Sequence, residues 1–323
     1  MRDKFGRQID YIRISLTDRC NLRCKYCMPE EGVKLLKHED ILTYEEIIIL
    51  SKIFISLGIK NFKLTGGEPL VRRDVSQLVK SLKNIEGIGE VTMTTNGVLL
   101  EEYGSDLIEA GIDRINISLD SLNPTKYQEI TGRNFLDKVF HGINLILSNG
   151  FDKVKINTVP IKPLDENDMD RLIDLGRENP IDIRFIKMMP IGIADSSLGY
   201  SKKEMLDLIE KKLGPSRIFY GKRGNGPAEY YSFKNYMSKI GFIDAMNNNF
   251  CSQCNRIRLS ATGSIKPCLY YDAGESLKPY IYSLAEDELK EKIKDIVYNK
   301  PLKHHMLENK MNEDKKNMNQ IGG

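Results

Sequence analysis

The sequence predicts an α/β protein: an incomplete (βα)6 TIM-like barrel followed by a C-terminal segment. Strand and helix patterns alternate six times along the chain. Strands with clear alternation are apolar on one face, and the other face carries Arg13, Lys63, Thr94, Ser118, Lys155 and Asn157. Repeated βα units argue for a parallel sheet with helices outside it. A doubly wound sheet or a closed eight-stranded barrel has strands apolar on both sides. A polar inner face therefore implies a lumen filled by ligand, and six strands leave a lateral opening. A one-sided solvated sheet has the same parity but is uncommon among parallel sheets.

The strands expected are Tyr11–Leu16, Phe62–Thr65, Val91–Thr94, Ile115–Asp120, Val154–Asn157 and, less regularly alternating, Ile181–Met189. Thr43-x-x-Glu46 is a capping box before Ile47, Leu50, Phe54 and Leu57, and Gly58 closes that helix. Asp74 starts a second helix with Val75, Leu78, Val79, Leu82 and Ile85. Leu100–Ala110, Phe135–Ser148 and Asn167–Glu178 follow, and Ser201-x-x-Glu204 caps a sixth helix ending at Gly214. Past Gly214 the alternation stops, so residues 1–214 are expected to form the barrel and 215–323 a separate C-terminal segment. That segment contains a hairpin, Arg256–Ser260 with Ser264–Leu269 around Thr262-Gly263, and a last helix over Ala285–Tyr298. Residues 309–323 are polar and expected to be flexible.

At roughly 150 residues per domain, 323 residues make two domains or one barrel with an appendage. Lys plus Arg is 48 and Asp plus Glu 45, leaving +3, too little excess for a generic nucleic-acid or membrane binder. An anion site must then be built from local placement. Met1–Asp10 is charged with no apolar export region after it, and the longest aliphatic run near it is Ile47–Leu50. A cytoplasmic location is expected, where structural disulfides are rare.

The six cysteines form two groups of three, Cys20-x3-Cys24-x2-Cys27 and Cys251-x2-Cys254-x13-Cys268. Structural zinc takes four ligands, and no His lies within either group. Three thiolates on a 4Fe-4S cube leave one iron open to a substrate or cofactor, whereas an electron-transfer cluster normally takes four Cys. Two 4Fe-4S clusters, each with three Cys ligands, fit the spacing better than zinc.

Cys20-x3-Cys24-x-Tyr26-Cys27 after the first strand, with Thr65-Gly66-Gly67-Glu68-Pro69 after the second, resembles the radical S-adenosylmethionine (SAM) superfamily. Asp3-x-Phe5-Gly6-Arg7, Thr17-Asp18-Arg19-Cys20-Asn21, Thr94-Thr95-Asn96-Gly97, Ile117-Ser118-Leu119-Asp120, the run Cys251 to Cys268 and the final Gly322-Gly323 narrow the resemblance. They are similar to the GTP 3',8-cyclase family of molybdenum cofactor biosynthesis, and the similarity spans essentially the whole chain. Two positions depart from the family pattern: Lys63 stands where Arg is usual, and Lys187 where Glu is usual. Lys63 keeps the charge without the two-pronged geometry of Arg.

The resemblance implies conversion of GTP to (8S)-3',8-cyclo-7,8-dihydroguanosine 5'-triphosphate. A 5'-deoxyadenosyl radical removes the ribose C3' hydrogen. It implies that Cys20, Cys24 and Cys27 hold the first cluster, and Cys251, Cys254 and Cys268 a second, which binds guanine while its segment closes the barrel opening. It assigns Tyr26, Gly67, Ser118 and Met189 to SAM; Glu68 is expected to accept from the SAM ammonium. Gly66 and Gly67, lacking Cβ atoms, are expected to let the backbone approach SAM. Arg13, Lys63, Thr94 and Lys155, from strand parity, and Arg256, Ile257 and Arg258, from the family, are expected to bind GTP. Each charge-assisted contact contributes roughly 1.5–3 kcal/mol. Gly322 and Gly323 are expected to thread into the barrel and act near the substrate, as Arg256 and Arg258 do. Expected partners are a reducing electron donor and a downstream cyclic pyranopterin monophosphate synthase, with no nucleic acid or membrane, the chain being a monomer or homodimer. The rival readings are a zinc-binding scaffold without catalysis and a radical SAM enzyme acting on peptides.

Overall fold

The computed structural model describes residues 1–246, 249–272, 274–306 and 316–322. Six strands lie side by side in chain order, all parallel: Tyr11–Ser15 (β1), Asn61–Thr65 (β2), Val91–Thr95 (β3), Arg114–Ser118 (β4), Val154–Thr158 (β5) and Ile181–Ile186 (β6). Ile12, Ile14, Phe62, Leu64, Met93, Ile115, Ile117, Ile156 and Ile183 on their outer face are wholly buried in the main core. The helices covering them are Tyr44–Ser56 (α1), Val75–Lys83 (α2), Leu100–Glu109 (α3), Pro124–Thr131 (α4), Leu136–Ser148 (α5), Glu166–Glu178 (α6) and Lys202–Leu213 (α7). Both capping boxes form: Thr43 Oγ1 accepts from Glu46 N and Ser201 Oγ from Glu204 N, at 3.2 Å each. α4 is absent from the sequence expectation. It is eight residues long and buries only Tyr127 and Thr131, too little for a visible apolar stripe.

The C-terminal strands extend the same sheet at both edges. Arg256–Leu259 (β10) lies parallel to β1, and Ile240–Ile243 (β9) lies parallel to β6. Each has antiparallel company: Ile265–Lys266 (β11) on β10, and Glu229–Ser232 (β8) with Arg217–Phe219 (β7) beyond β9. β9 and β10 are not paired, so the barrel stays laterally open. A second apolar cluster of Ile191, Met246, Tyr270, Met306 and Ile321 packs side chains that follow β6, β9 and β11 against the chain's end. It bridges the two edges that hydrogen bonds leave apart. Two further short helices, Asn249–Ser252 (α8) and Met318–Ile321 (α10), flank Glu286–Tyr298 (α9).

The tail departs from expectation. Asn317 and Gln320 form a capping box on α10, and Asn319 and Ile321 are buried. Burial of Ile321 anchors the tail despite its polar composition. Residues 307–315 and Gly323 lie outside the described residues. Among those described, no helix is long and apolar enough to cross a membrane.

Phe62 is fully buried on β2, so Phe62→Ala should destabilise the fold by about 3–5 kcal/mol. A urea titration should show a lower midpoint at unchanged slope.

Candidate active site

The register sorts the inner face into rows. Arg258, Arg13, Lys63, Thr92 and Arg114 stand level across β10, β1, β2, β3 and β4. Thr94, Asn116, Lys155 and Asp182 form a second row, and Ser118, Asn157 and Arg184 a third. Burial lowers the hold of Arg13, Lys63, Lys155 and Arg258 on their protons, and neighbouring cations add to it. Lys63 is driven well below the ordinary amine range by burial and by Arg13 and Arg184. Lys155 falls to about 7 through burial and Arg184, against the opposing pull of Asp182. Arg258 falls to about 9 through burial and Arg13. Among the described residues Arg13, Lys63, Arg184 and Arg258 make no ion pair, and the Nε atoms of Arg13 and Arg184 are buried without a partner. Unsatisfied donors crowded on one wall are a built anion site. Thr94 Oγ1 sits beside them, accepting from Asn116 Nδ2 at 3.4 Å.

Arg184, on the inner face of β6, adds to the cations expected from the sequence. Its signal was present: Ile181-Asp182-Ile183-Arg184-Phe185 alternates cleanly, but a strand drawn to Met189 blurs it. Ile257 requires the opposite correction. It pairs with Ile12, is 1% exposed and packs in the main core, because alternate strand residues face opposite sides. Only Arg256 and Arg258 of that trio turn inward. Lys187 now has a setting, with Nζ 3.7 Å from Asp244 Oδ2 just past β9.

The two cysteine triads lie at opposite ends of the strands. Cys20, Cys24 and Cys27 follow the C-terminal end of β1. Cys251 and Cys254 precede β10, and Cys268 follows the antiparallel β11, which places all three toward the other end. Five strand residues separate the ends by roughly 16 Å. Burial raises the Cys20 thiol to about 11, with Glu68 adding to it, and the Cys27 thiol to about 12, with Cys20 adding to it. At the second triad burial is outweighed by Lys300 and Arg256, and Cys254 is held below the ordinary thiol range. Among the described residues no three His, Cys, Asp or Glu side chains converge as ligands of a single ion. Both sets suit a 4Fe-4S group by donor chemistry: soft sulfurs, three to a site, each able to take a different iron.

The glycines beside the first triad serve the protein backbone. A Cβ on Gly67 would lie 2.3 Å from Arg19 O, and one on Gly66 2.6 Å from Thr17 O. Gly67 N donates to Thr17 O at 2.7 Å and Glu68 N to Arg19 O at 2.8 Å. The close approach expected toward SAM is thus made to the cysteine loop. Glu68 departs from expectation too: Oε1 accepts from Leu70 N and Thr95 Oγ1, and Oε2 from Asn96 N at 2.6 Å. Three protein donors occupy a carboxylate only 1% exposed, and burial raises it to about 7. Asn96 passes this order on, its Nδ2 donating to Asn21 Oδ1 at 2.7 Å. Tyr26 donates to Asp120 Oδ2 at 2.5 Å, Ser118 ends β4, and Met189 packs on the second apolar cluster.

The second triad is clamped by the chain's start. Arg7 Nη1 donates to Cys251 O and Leu302 O, both at 2.9 Å, and Nη2 to Pro301 O at 2.6 Å. Asp3 Oδ2 holds its Nε at 2.6 Å. A cavity of about 930 Å³, lined in part by Asn225, Pro227, Phe250, Gln253 and Arg256, opens beside this triad. The tail reaches the other end: Arg258 Nη1 donates to Gly322 O at 2.5 Å, and Asn319 Nδ2 to Asp18 O at 3.1 Å. Gly322 has φ +81°, and a Cβ there would lie 2.8 Å from Ser15 Cβ. No other residue fits that position without strain.

The model for the radical SAM superfamily matches residues 14–176, and that for molybdenum cofactor synthesis C matches 181–306. A GTP 3',8-cyclase of Clostridium perfringens strain 13 is 44% identical over 324 residues, covering 100% of both chains. One from Petrotoga mobilis is 42% identical, again over 100% of both. Among solved structures, Streptococcus suis SuiB matches at TM-score 0.62 and 16% identity, over 92% of this chain and 67% of that one. Native anSMEcpe with bound AdoMet matches at 0.58 and 14%, over 86% and 82%. These two likenesses show the fold.

The contact between Gly67 and Arg19 O yields a test. Gly67→Ala must push the cysteine loop aside, so iron bound at the first triad should drop while the second triad, at the far strand end, keeps its own. Iron per chain after anaerobic reconstitution, compared with a Cys24→Ala variant, reads this directly.

Proposed function

The chain belongs to the GTP 3',8-cyclase family of radical SAM enzymes, and on that premise we propose how its residues divide the work. It converts GTP to (8S)-3',8-cyclo-7,8-dihydroguanosine 5'-triphosphate, an early step of molybdenum cofactor biosynthesis. The observation that carries the assignment of roles is the cationic lumen set between two cysteine triads.

Cys20, Cys24 and Cys27 would hold the first 4Fe-4S cluster, with Tyr26, Gly67, Ser118 and Met189 around SAM. When bound there, cluster and SAM supply the 5'-deoxyadenosyl radical that removes hydrogen from ribose C3'. Glu68 acts as a positioning residue, fixing Thr95 and Asn96 against the cysteine loop. Arg13, Lys63, Lys155, Arg184, Arg256 and Arg258 take the triphosphate, with Thr94 beside them. The anion relieves the mutual repulsion of these buried cations, so binding is favoured by what the empty lumen costs. Cys251, Cys254 and Cys268 would hold a second three-Cys cluster toward the guanine, with Lys300 and Arg7 offsetting its negative charge. Gly322 brings the tail to Arg258. A reducing electron donor and a downstream synthase consuming the product complete the scheme.

Two outcomes test this division. Cys24→Ala should abolish reductive SAM cleavage, whereas Cys268→Ala should retain some uncoupled cleavage and lose cyclisation; anaerobic incubation with SAM, reductant and GTP, read by nucleotide mass, separates them. Equal behaviour in both assays would refute the division. Deleting only Gly322 and Gly323 should remove most cyclase activity at unchanged iron content, and a synthetic tail peptide should restore part of it. Full activity of the truncated protein would make the tail dispensable.

A further inference from the structure

The segment 220–227, between β7 and β8, lies against the N-terminal ends of the strands. Asn225 Nδ2 donates to Asn61 Oδ1 at 2.8 Å and to Glu90 Oε2 at 2.9 Å. Gly224 has φ +108°, and a Cβ there would lie 2.6 Å from Arg114 Nη1. Lys155 Nζ donates to Arg223 O and, at 2.8 Å, to Tyr230 Oη. The Arg223 side chain engages Asp182 with both prongs, Nε to Oδ2 at 3.0 Å and Nη2 to Oδ1 at 2.5 Å. Asp182 shares a row with Lys155, is 2% exposed, and also receives Lys239 N at 3.0 Å.

We propose that Arg223 is a specificity-determining residue, masking Asp182 so that the lumen accepts the full charge of a nucleoside triphosphate. The proposal rests on the reading of the lumen as the triphosphate site. Asp182 is the carboxylate on the same inner row as Lys155, with Nζ 3.3 Å from Oδ2. Left unmasked, it would repel phosphate and draw Lys155 away from it. Burial would favour the neutral acid, but the guanidinium and Lys155 together hold Asp182 below the ordinary carboxylate range. It therefore stays negative, and its charge must be cancelled from outside the row. The two-pronged bond from a segment pinned to Asn61 and Glu90 does that without placing another donor among the phosphates.

The test uses the anaerobically reconstituted enzyme and equilibrium binding of GTP, GDP and guanosine. Arg223→Gln should weaken GTP binding about tenfold, GDP less, and guanosine not at all, the order of one lost charge-assisted contact. The double variant Asp182→Asn with Arg223→Gln removes the charge and its mask together, and should return GTP affinity to within about twofold of the parent. Unchanged GTP affinity in Arg223→Gln overturns the proposal. So does a loss that the double variant fails to restore, which would reduce Arg223 to a structural plug. If Arg223→Gln loads less iron than the parent, Arg223→Lys replaces it: near-parental GTP affinity supports masking and a tenfold loss overturns it. Lys63→Met separates the underlying reading. If it leaves GTP binding unchanged the lumen is not the triphosphate site; if it weakens binding while Arg223→Gln does not, only the masking falls.

Discussion

Mutual repulsion among buried cations is the constraint on which the rest of this architecture depends. Arg13, Lys63, Lys155, Arg184 and Arg258 face one lumen, and burial depresses the proton affinity of Arg13, Lys63, Lys155 and Arg258. Such a wall persists only if something stiffer holds it. Here that is the outer face of the same strands, whose isoleucines and leucines are locked under the helices. Period-two alternation thus joins stability and binding in one element: each strand contributes an apolar residue to the core and a polar one to the lumen. The apolar half can be read as the support for the polar half.

The two cysteine groups occupy contrasting fields. Around the first, Glu68 and Asp120 are buried acids raised to about 7 and about 6 by burial. Around the second, Lys300, Arg256 and Arg7 outweigh the burial of Cys254. The same ligand type is therefore held in an acidic setting at one end of the strands and a basic one at the other. Net charge and hydrogen bonding around a cluster's sulfurs tune its electronic properties, so the two ends are not interchangeable although each offers three cysteines.

Parity carried much of the site to the surface of the sequence. Arg13, Lys63, Thr94, Ser118 and Lys155 could be placed on one face from alternation alone, and the structure places them there. A motif can hide parity: Ile257 stands between two inward arginines, and alternation sends it to the core. Glu68 and the two glycines showed as a motif, but their partners Thr17, Arg19, Thr95 and Asn96 depend on how loops meet, which spacing does not encode. The tail's polar composition concealed Met318 and Ile321, two apolar contacts being enough to seat one short helix. The segment 220–227 reads as an ordinary Gly-rich turn; its place under the lumen follows only once β8 and β9 are known to extend the barrel sheet.

The Arg7 clamp has a consequence for how the chain matures. One guanidinium near the start grips carbonyls of Cys251, Pro301 and Leu302, so some 295 residues lie between the ends of that contact. Contacts of such long separation form late, because loop closure must precede them. During synthesis the first cysteine loop and the strands beside it leave the ribosome while Arg7 has only its neighbour Asp3 to hold. The second triad gains its clamp only after residue 302 has been made. The contact that braces the second triad is thereby reserved for a chain that is nearly complete.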